Sequence, residues 1–431
     1  MTIPDDRTIR FALSNPHPEW PFLMALPTST PVPRARNTGA SDESEFVASG
    51  PYMVDGHGQT STLVLTKNPN WDPGSDPIRH QYLDRIVVDF HGGSGEEQTN
   101  RLIADRGNDQ YAVATAAVAP SKIEKVRTDP GLKARTGSAP TLTVDYIHIN
   151  TSRVTEVKVR QALNWSFDRK AFVVAAGGTE NDAHEAHPPT AALPATWILA
   201  PAVPGWKDYD AYKSADDDGD VQKARELLAG DTPALTYCFP DTPAQQPFAD
   251  VVRNSLARAG FHITPHPIDP SSYDVMIGDV TNRCDLMRSS WTAAYPDARS
   301  TLDPLLNGEH IVLTGNHNYS LFNDPMINRK IDDLNTWTDL GQVANLYPNL
   351  DQEIMTNHAP VIPTYDRPGT GLFEECSGGR NPSGFPEFSE VGRETCRCSC
   401  DCANPSRRSI SAQRLASTQA GSPHRREPSR S

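Results

Sequence analysis

A chain of 431 residues exceeds what one hydrophobic core usually serves, so two or more lobes are expected. With 22% charged and 37% hydrophobic residues the composition is that of an ordinary soluble protein, and 38 prolines favour loops and extended connections over long helical bundles. A formal charge of −14 argues against a nucleic-acid partner, because phosphate binding needs a concentrated basic face and residues 1–373 show none.

Residues 1–145 read as strands and loops. Thr8-Ile-Arg-Phe-Ala-Leu13 alternates like a strand, Leu63-Val-Leu-Thr66 is another, and Leu83-Asp-Arg-Ile-Val-Val-Asp-Phe90 has the look of a buried one. Ser49-Gly-Pro-Tyr52 and Lys67-Asn-Pro-Asn-Trp71 between them carry turn chemistry. Residues 146–362 bring in the helices. Thr155 is placed to cap one whose Val159, Ala162, Leu163 and Phe167 share a face, and Asp168 to cap the next, which stops at Gly177-Gly178. Leu235–Phe239 reads as a strand, the stripe Phe248, Val251, Val252, Ser255, Leu256 as a helix ended by Gly260, and Phe261-His-Ile-Thr264 as the start of the next strand. Strand, helix and strand of these lengths predict a crossover with a parallel pair.

Asp285-Leu-Met then delivers the chain to Trp291-Thr-Ala-Ala-Tyr-Pro-Asp297, an aromatic-and-turn cluster placed at the carboxyl end of a strand, where open α/β sheets bind ligands. This segment resembles the cleft motif of the solute-binding proteins of ABC importers, family 5, which capture peptides and in some branches nickel, haem or oligosaccharides. Trp291, Tyr295, Pro296 and Asp297 match it, while Ala294 stands where an acidic residue is expected. The Ser49–Tyr52 and Lys67–Trp71 phrases, the Leu-Asp-x-Ile strand, and Asn150-Thr-Ser through Arg169 follow in the family's order. So do Asn318–Pro325, a helix with Ile331 and Leu334, and Pro360–Tyr365, and the likeness ends near Phe373.

The resemblance implies an α/β, periplasmic-binding-protein-like two-lobe fold of type II with an incomplete first lobe. Residues 1–145 would be the remainder of lobe I, 146–362 lobe III, 363–373 the return to lobe I, and 374–431 a disordered tail rich in Arg, Ser, Pro and Cys. It implies an extracytoplasmic receptor, monomeric, that binds a peptide or related small solute between lobes and delivers it to permease subunits in the membrane, with no cofactor and no catalytic residue. Trp291, Tyr295 and Asp297 are the expected ligand contacts, with Tyr52 and Asn150 beside the lobe junction. In peptide-binding members the acidic residue aligned with Ala294 pairs with the ligand's amino terminus. Either Asp297 takes over here, or the ligand has no free amine.

The two ends break the pattern. No stretch approaches the roughly 20 apolar residues of a membrane span, and the first seven residues lack the basic start and apolar run of a secretory signal, so the chain as written would stay in the cytoplasm. The tail holds nine arginines, no lysine and five of the seven cysteines, leaving only Cys238 and Cys284 in a body that is not expected to be a disulfide scaffold. A fragment with a frame-shifted or fused tail is the expectation, and a remnant without binding activity is the competing reading, since missing lobe I strands would expose unpaired edges.

Other motifs read as structure. His91-Gly-Gly-Ser-Gly95 resembles an esterase oxyanion loop, which makes a hydrolase the third reading, but the chain has no Gly-x-Ser-x-Gly elbow. Asp216-Asp-Asp-Gly-Asp220 fits a helix start capped by Asp220 better than a calcium loop, whose last ligand would fall on Arg225. His184-Glu-Ala-His187 lacks the spacing of the protease motif, and Cys396–Cys402 lacks that of a structural zinc site, so no metal is expected. Because lobe III looks complete, limited proteolysis should leave a core near residues 150–360 in the mass spectrum of the digest; rapid cutting throughout that span would refute it.

Overall fold

The computed structural model describes residues 1–34, 47–55, 61–114, 117–139, 141–178, 193–212, 214, 216–366, 369–372 and 409–413. Its largest unit is a six-stranded mixed sheet in the order His262–Ile268, Ala234–Pro240, Leu286–Thr292, Thr143–Ile149, Val361–Asp366, Leu193–Pro194. The first three strands run parallel, as the strand–helix–strand pattern predicts, and the last three are antiparallel to their neighbours.

Thr143–Ile149 is buried at all seven positions. A strand covered on both faces needs apolar or neutralised side chains at every position rather than an alternating pattern. On one face Val144 and Tyr146 pack with Leu302, Leu306, Ile331 and Ile354, which belong to the helices Arg299–Leu306, Pro325–Asn335 and Tyr347–Asn357. On the other, Ile147 and Ile149 pack with Leu163, Phe172, Val252 and Leu256, from Val157–Ser166, Arg169–Ala175 and Gln246–Ala257. The result is a sheet between two helical layers. Its outer strand His262–Ile268 carries Pro265 and Pro267, which lack the N–H that an added strand would need.

The local signals hold in part. Asp168 accepts from the Ala171 N–H at 2.8 Å and Asp220 from the Lys223 N–H at 2.8 Å, each capping its helix. Gly177, at φ +92°, ends Arg169–Ala175, and a Cβ there would meet Pro120 at 2.6 Å. Thr155 is not the cap expected of it: the N-cap of Val157–Ser166 is Glu156, without a side-chain bond. Thr8–Leu13 contributes only Thr8–Arg10, paired with Thr2–Asp5 in an exposed hairpin. Leu83–Phe90 shortens to Arg85–Asp89, in which Ile86 alone is fully buried.

That strand lies in a smaller sheet, ordered Tyr52–Val54, Thr62–Lys67, Arg85–Asp89, Ser409–Gln413, Ala112–Ala114. Ser409–Gln413 comes from the tail expected to be disordered, and it runs parallel to both neighbours, pairing the two edges that its absence would leave open. The expected lobe boundaries at 145/146 and 362/363 fall inside Thr143–Ile149 and Val361–Asp366. A two-stranded pair, Thr136–Ala139 with Gly369–Leu372, lies just outside the large sheet in sequence on both passes of the chain.

His148 stands on the central strand, and burial lowers its pKa from 6.5 to about 3. The folded state therefore excludes a proton that the unfolded state binds below 6.5, so stability is full above that pH and is lost as pH falls toward 3. One proton corresponds to about 1.4 kcal/mol per pH unit. Urea unfolding at pH 6.5 and 5 should show the wild type losing about 2 kcal/mol more than His148→Leu; equal losses would remove His148 as the cause.

Candidate functional site

Leu286–Thr292 alternates its side chains across the sheet, and its register against the central strand sets Arg288 opposite Ile147, Ser290 opposite Asp145 and Trp291 opposite Val144. Arg288 is buried, donates through Nη2 to Asp145 at 3.2 Å, and lies 4.0 Å from the Phe248 ring centroid and 5.3 Å from that of Phe172. Burial alone would lower its pKa, but Asp145 and the hydroxyls of Tyr365 and Tyr237 together raise it. Its Nε has no hydrogen-bond partner among the described residues. An isolated buried cation is costly, and this one is held by a carboxylate and two aromatic faces.

A cavity of about 190 Å³ opens beside this pair, lined by Asp145, Gln245, Asp274, Arg288, Ser289 and Ser290. Pro240, the last residue of its strand, and Tyr273 complete the wall. The cavity thus lies at the carboxyl end of two parallel strands, the place that open α/β sheets reserve for ligands. Gln245 Oε1 is buried without a donor among the described residues, and burial raises the pKa of Asp274 against the nearby His317. Tyr273 fixes the floor by donating its hydroxyl to the Arg288 carbonyl at 2.6 Å. The polar lining, with the Arg288 guanidinium among it, suits a small polar or anionic group.

The aromatic-and-turn segment continues from this strand and is bonded to itself. Trp291 donates its indole N–H to the Ser300 carbonyl at 2.7 Å and meets His317 edge-on at 5.2 Å. Asp297 accepts from the Arg299 backbone at 2.9 Å and from its guanidinium at 2.8 Å, so its charge is answered within the chain. The Ser300 hydroxyl bonds the Tyr295 and Asp297 carbonyls, both at 2.9 Å. Tyr295 stacks on Phe22 at 5.4 Å and 6°; burial, with Glu19 and Asp297 nearby, pushes its pKa up to about 12. Ala294 is exposed.

The structure brings Trp291, Tyr295 and Asp297 into one turn and leaves the two weaker candidates elsewhere. Asn150 follows Ile149, which pairs with Leu286 at the start of the strand, so six residues, about 20 Å of strand, separate it from the position opposite Trp291. It is fully buried, and its side chain bonds the Cys284 carbonyl and Ser152, which presents no surface to a cleft. Tyr52 sits in the small sheet, where its hydroxyl accepts from the Leu83 N–H at 2.9 Å, and it packs against Leu83, Ile86 and Val113. Sequence reasoning missed Arg288, Asp145 and Gln245. The signal available was a charge of opposite sign within each of two strands, Asp145 in Thr143–Ile149 and Arg288 in Leu286–Thr292.

Ser94 of the oxyanion-like loop caps Gly95–Ala104 in a capping box with Glu97. His184–His187 and Cys396–Cys402 lie outside the described residues. Cys238 and Cys284, by contrast, form a disulfide across 46 residues with Cα atoms 5.8 Å apart, so the body carries a cross-link that cysteine counting did not anticipate.

A mixed α/β frame with a polar cavity at the carboxyl ends of parallel strands has the architecture of a small-ligand site. The sequence profile of the bacterial extracellular solute-binding proteins, family 5 Middle, matches residues 1–311, and the chain belongs to that family. Among curated relatives it is 21% identical over 372 residues to the probable D,D-dipeptide-binding periplasmic protein DdpA of Escherichia coli, covering 83% of this chain and 66% of that one. It is 25% identical over 363 residues to heme-binding protein A of Haemophilus influenzae, with 81% and 60% covered. The chain thus spans less than two thirds of the length of these relatives.

Of solved structures, the clavulanic acid biosynthesis oligopeptide binding protein 2 superposes with a TM-score of 0.77 at 27% identity over 88% of this chain and 68% of that one. The periplasmic binding protein DppA of Helicobacter pylori in complex with the peptide STSA gives 0.67 at 19%, over 91% and 72%, a likeness of fold.

In the chain-entropy account, a disulfide closing 46 residues stabilises by about 4 kcal/mol. Denaturant unfolding with and without reductant should differ by roughly that amount; coincident curves would show that the two thiols are not bonded in solution.

Proposed function

We propose that this chain is the extracytoplasmic receptor of an ABC importer, binding a peptide or a related small solute as a monomer and presenting it to membrane permease subunits. Binding makes and breaks no covalent bond, so no catalytic group is assigned. The observation that carries the reading is the buried Arg288–Asp145 pair at the cavity on the carboxyl ends of the parallel strands, in a chain of this family. The relatives' names supply the ligand class: D,D-dipeptide, oligopeptide and the bound STSA peptide. The Cys238–Cys284 bond supports a location outside the cytoplasm, since disulfides persist in oxidising compartments.

The Arg288 guanidinium and the Ser289–Ser290 hydroxyls would receive the ligand's carboxylate, with Trp291 and Tyr295 offering apolar surface further along the same segment. Ala294 offers no acceptor and Asp297 is held by Arg299, so the ligand's amino end contributes little. The capping role of Ser94 gives no support to a hydrolase.

Calorimetric titration with short peptides tests this. A charge-assisted bond contributes about 1.5–3 kcal/mol, so Arg288→Gln should weaken binding of a free-carboxylate peptide roughly 10- to 100-fold. N-acetylation of the same peptide should change Kd less than about tenfold. Unchanged affinity in Arg288→Gln would remove the cavity from the site, and a large loss on acetylation would restore an amine contact.

A further inference from the structure

The wall carrying Trp291 and Tyr295 is covered by the chain's own N-terminal segment. Phe22, in the short helix Trp20–Ala25, stacks on Tyr295 nearly parallel and covers that face of the ring. Glu19, one residue before the helix, is 7% exposed and faces Arg299, which is 4% exposed. The two approach without meeting: Arg299 Nε stands 4.0 Å from Glu19 Oε2, and each of these buried atoms is without a hydrogen-bond partner among the described residues.

The rest of the Arg299 guanidinium is committed. Nη1 donates to Asp297 at 2.8 Å, Nη2 to the Leu334 and Trp337 carbonyls at 3.1 and 2.9 Å, and the group lies 5.7 Å from the Tyr347 ring centroid. Of its three nitrogens, Nε is the one without a partner among the described residues, and it stands 4.0 Å from Glu19 Oε2. The other Glu19 oxygen is held by His17 at 2.9 Å. Charged N–H···O bonds form at roughly 2.7–2.9 Å, so an approach of about 1 Å would satisfy both orphaned atoms at once. Buried charged atoms without partners favour any movement that pairs them.

We propose that residues 17–22 are a latch on the ligand wall. Phe22 holds the segment over Tyr295, and the Glu19–Arg299 bond forms as the segment seats about 1 Å deeper on that wall. A solute must therefore share or displace this contact, and the segment regulates access to the site. The inference rests on the reading of residues 288–297 as that wall.

Amide hydrogen exchange of the full chain without ligand, read by mass spectrometry, tests it with Phe22→Ala and Glu19→Lys. In the wild type, residues 17–25 should exchange at least tenfold more slowly than an unstructured peptide. Both substitutions should raise exchange at least threefold in 17–25 and in 293–299 and leave the strand Ala234–Pro240 unchanged. Wild-type exchange of 17–25 at the unstructured rate, or substitutions without effect, would overturn the latch. So would loosening of 234–240 along with the rest, which would make Phe22 part of the packed core. Peptide titration of the same samples is separate: no binding to the wild type with the exchange pattern intact would defeat the receptor reading and leave the latch standing.

Discussion

Burial of Thr143–Ile149 on both faces is the constraint from which the rest follows. A strand with no solvent side has one register that its neighbours can accept, because a slip by one residue would exchange its two packed faces. Leu286–Thr292 must therefore lie with Leu286 against Ile149 and Trp291 against Val144, and Val361–Asp366 must close the other side. That register, and not local preference, carries Arg288 beside Asp145 and sets the aromatic turn at the sheet's rim. The small bulge where Pro363 and Tyr365 meet the central strand lets that second partner follow without disturbing it.

Much of this was legible. The parallel pair, the helix between its strands, the caps at Asp168 and Asp220 and the strand leading to Trp291 follow from periodicity and end signals, which are local. The failures share a cause. Thr155 has the chemistry of a cap, but the adjoining carbonyls are taken by Arg160, which donates to Val154 at 2.9 Å and Thr155 at 2.7 Å, and the helix begins a residue later. Thr8–Leu13 alternates correctly but finds only a short hairpin partner, and alternation does not reveal whether a second layer exists. The Asp145–Arg288 pair and the Cys238–Cys284 bond join residues far apart in the chain, and no spacing rule reports which distant residues a sheet will make neighbours.

The family motif was legible as a pattern and less so as a set of roles. A Trp, a Tyr and an Asp in a turn look like three contacts offered outward. In place, Trp291 bonds Ser300, Asp297 bonds Arg299 twice, and Tyr295 lies under Phe22. These bonds rigidify the turn, and a rigid rim loses less freedom when a ligand binds than a mobile one.

The buried arginines separate structure from site. Arg160 and Arg169 give their Nε donors to backbone carbonyls, to His358 at 2.8 Å for the first and to Ala195 and Pro363 at 2.9 and 3.1 Å for the second, and so tie helices to the strand beyond them. Arg288 and Arg299 each keep Nε unmatched among the described residues, and they lie eleven positions apart, joined by the end of the strand and the turn that leads into the helix Arg299–Leu306. The core thus satisfies the Nε of two of these four cations through backbone carbonyls and holds the other two cations through carboxylates and aromatic faces. Asp297 and Ser300 lock the turn that follows the strand, so Arg288 and Arg299 are joined by one internally bonded segment.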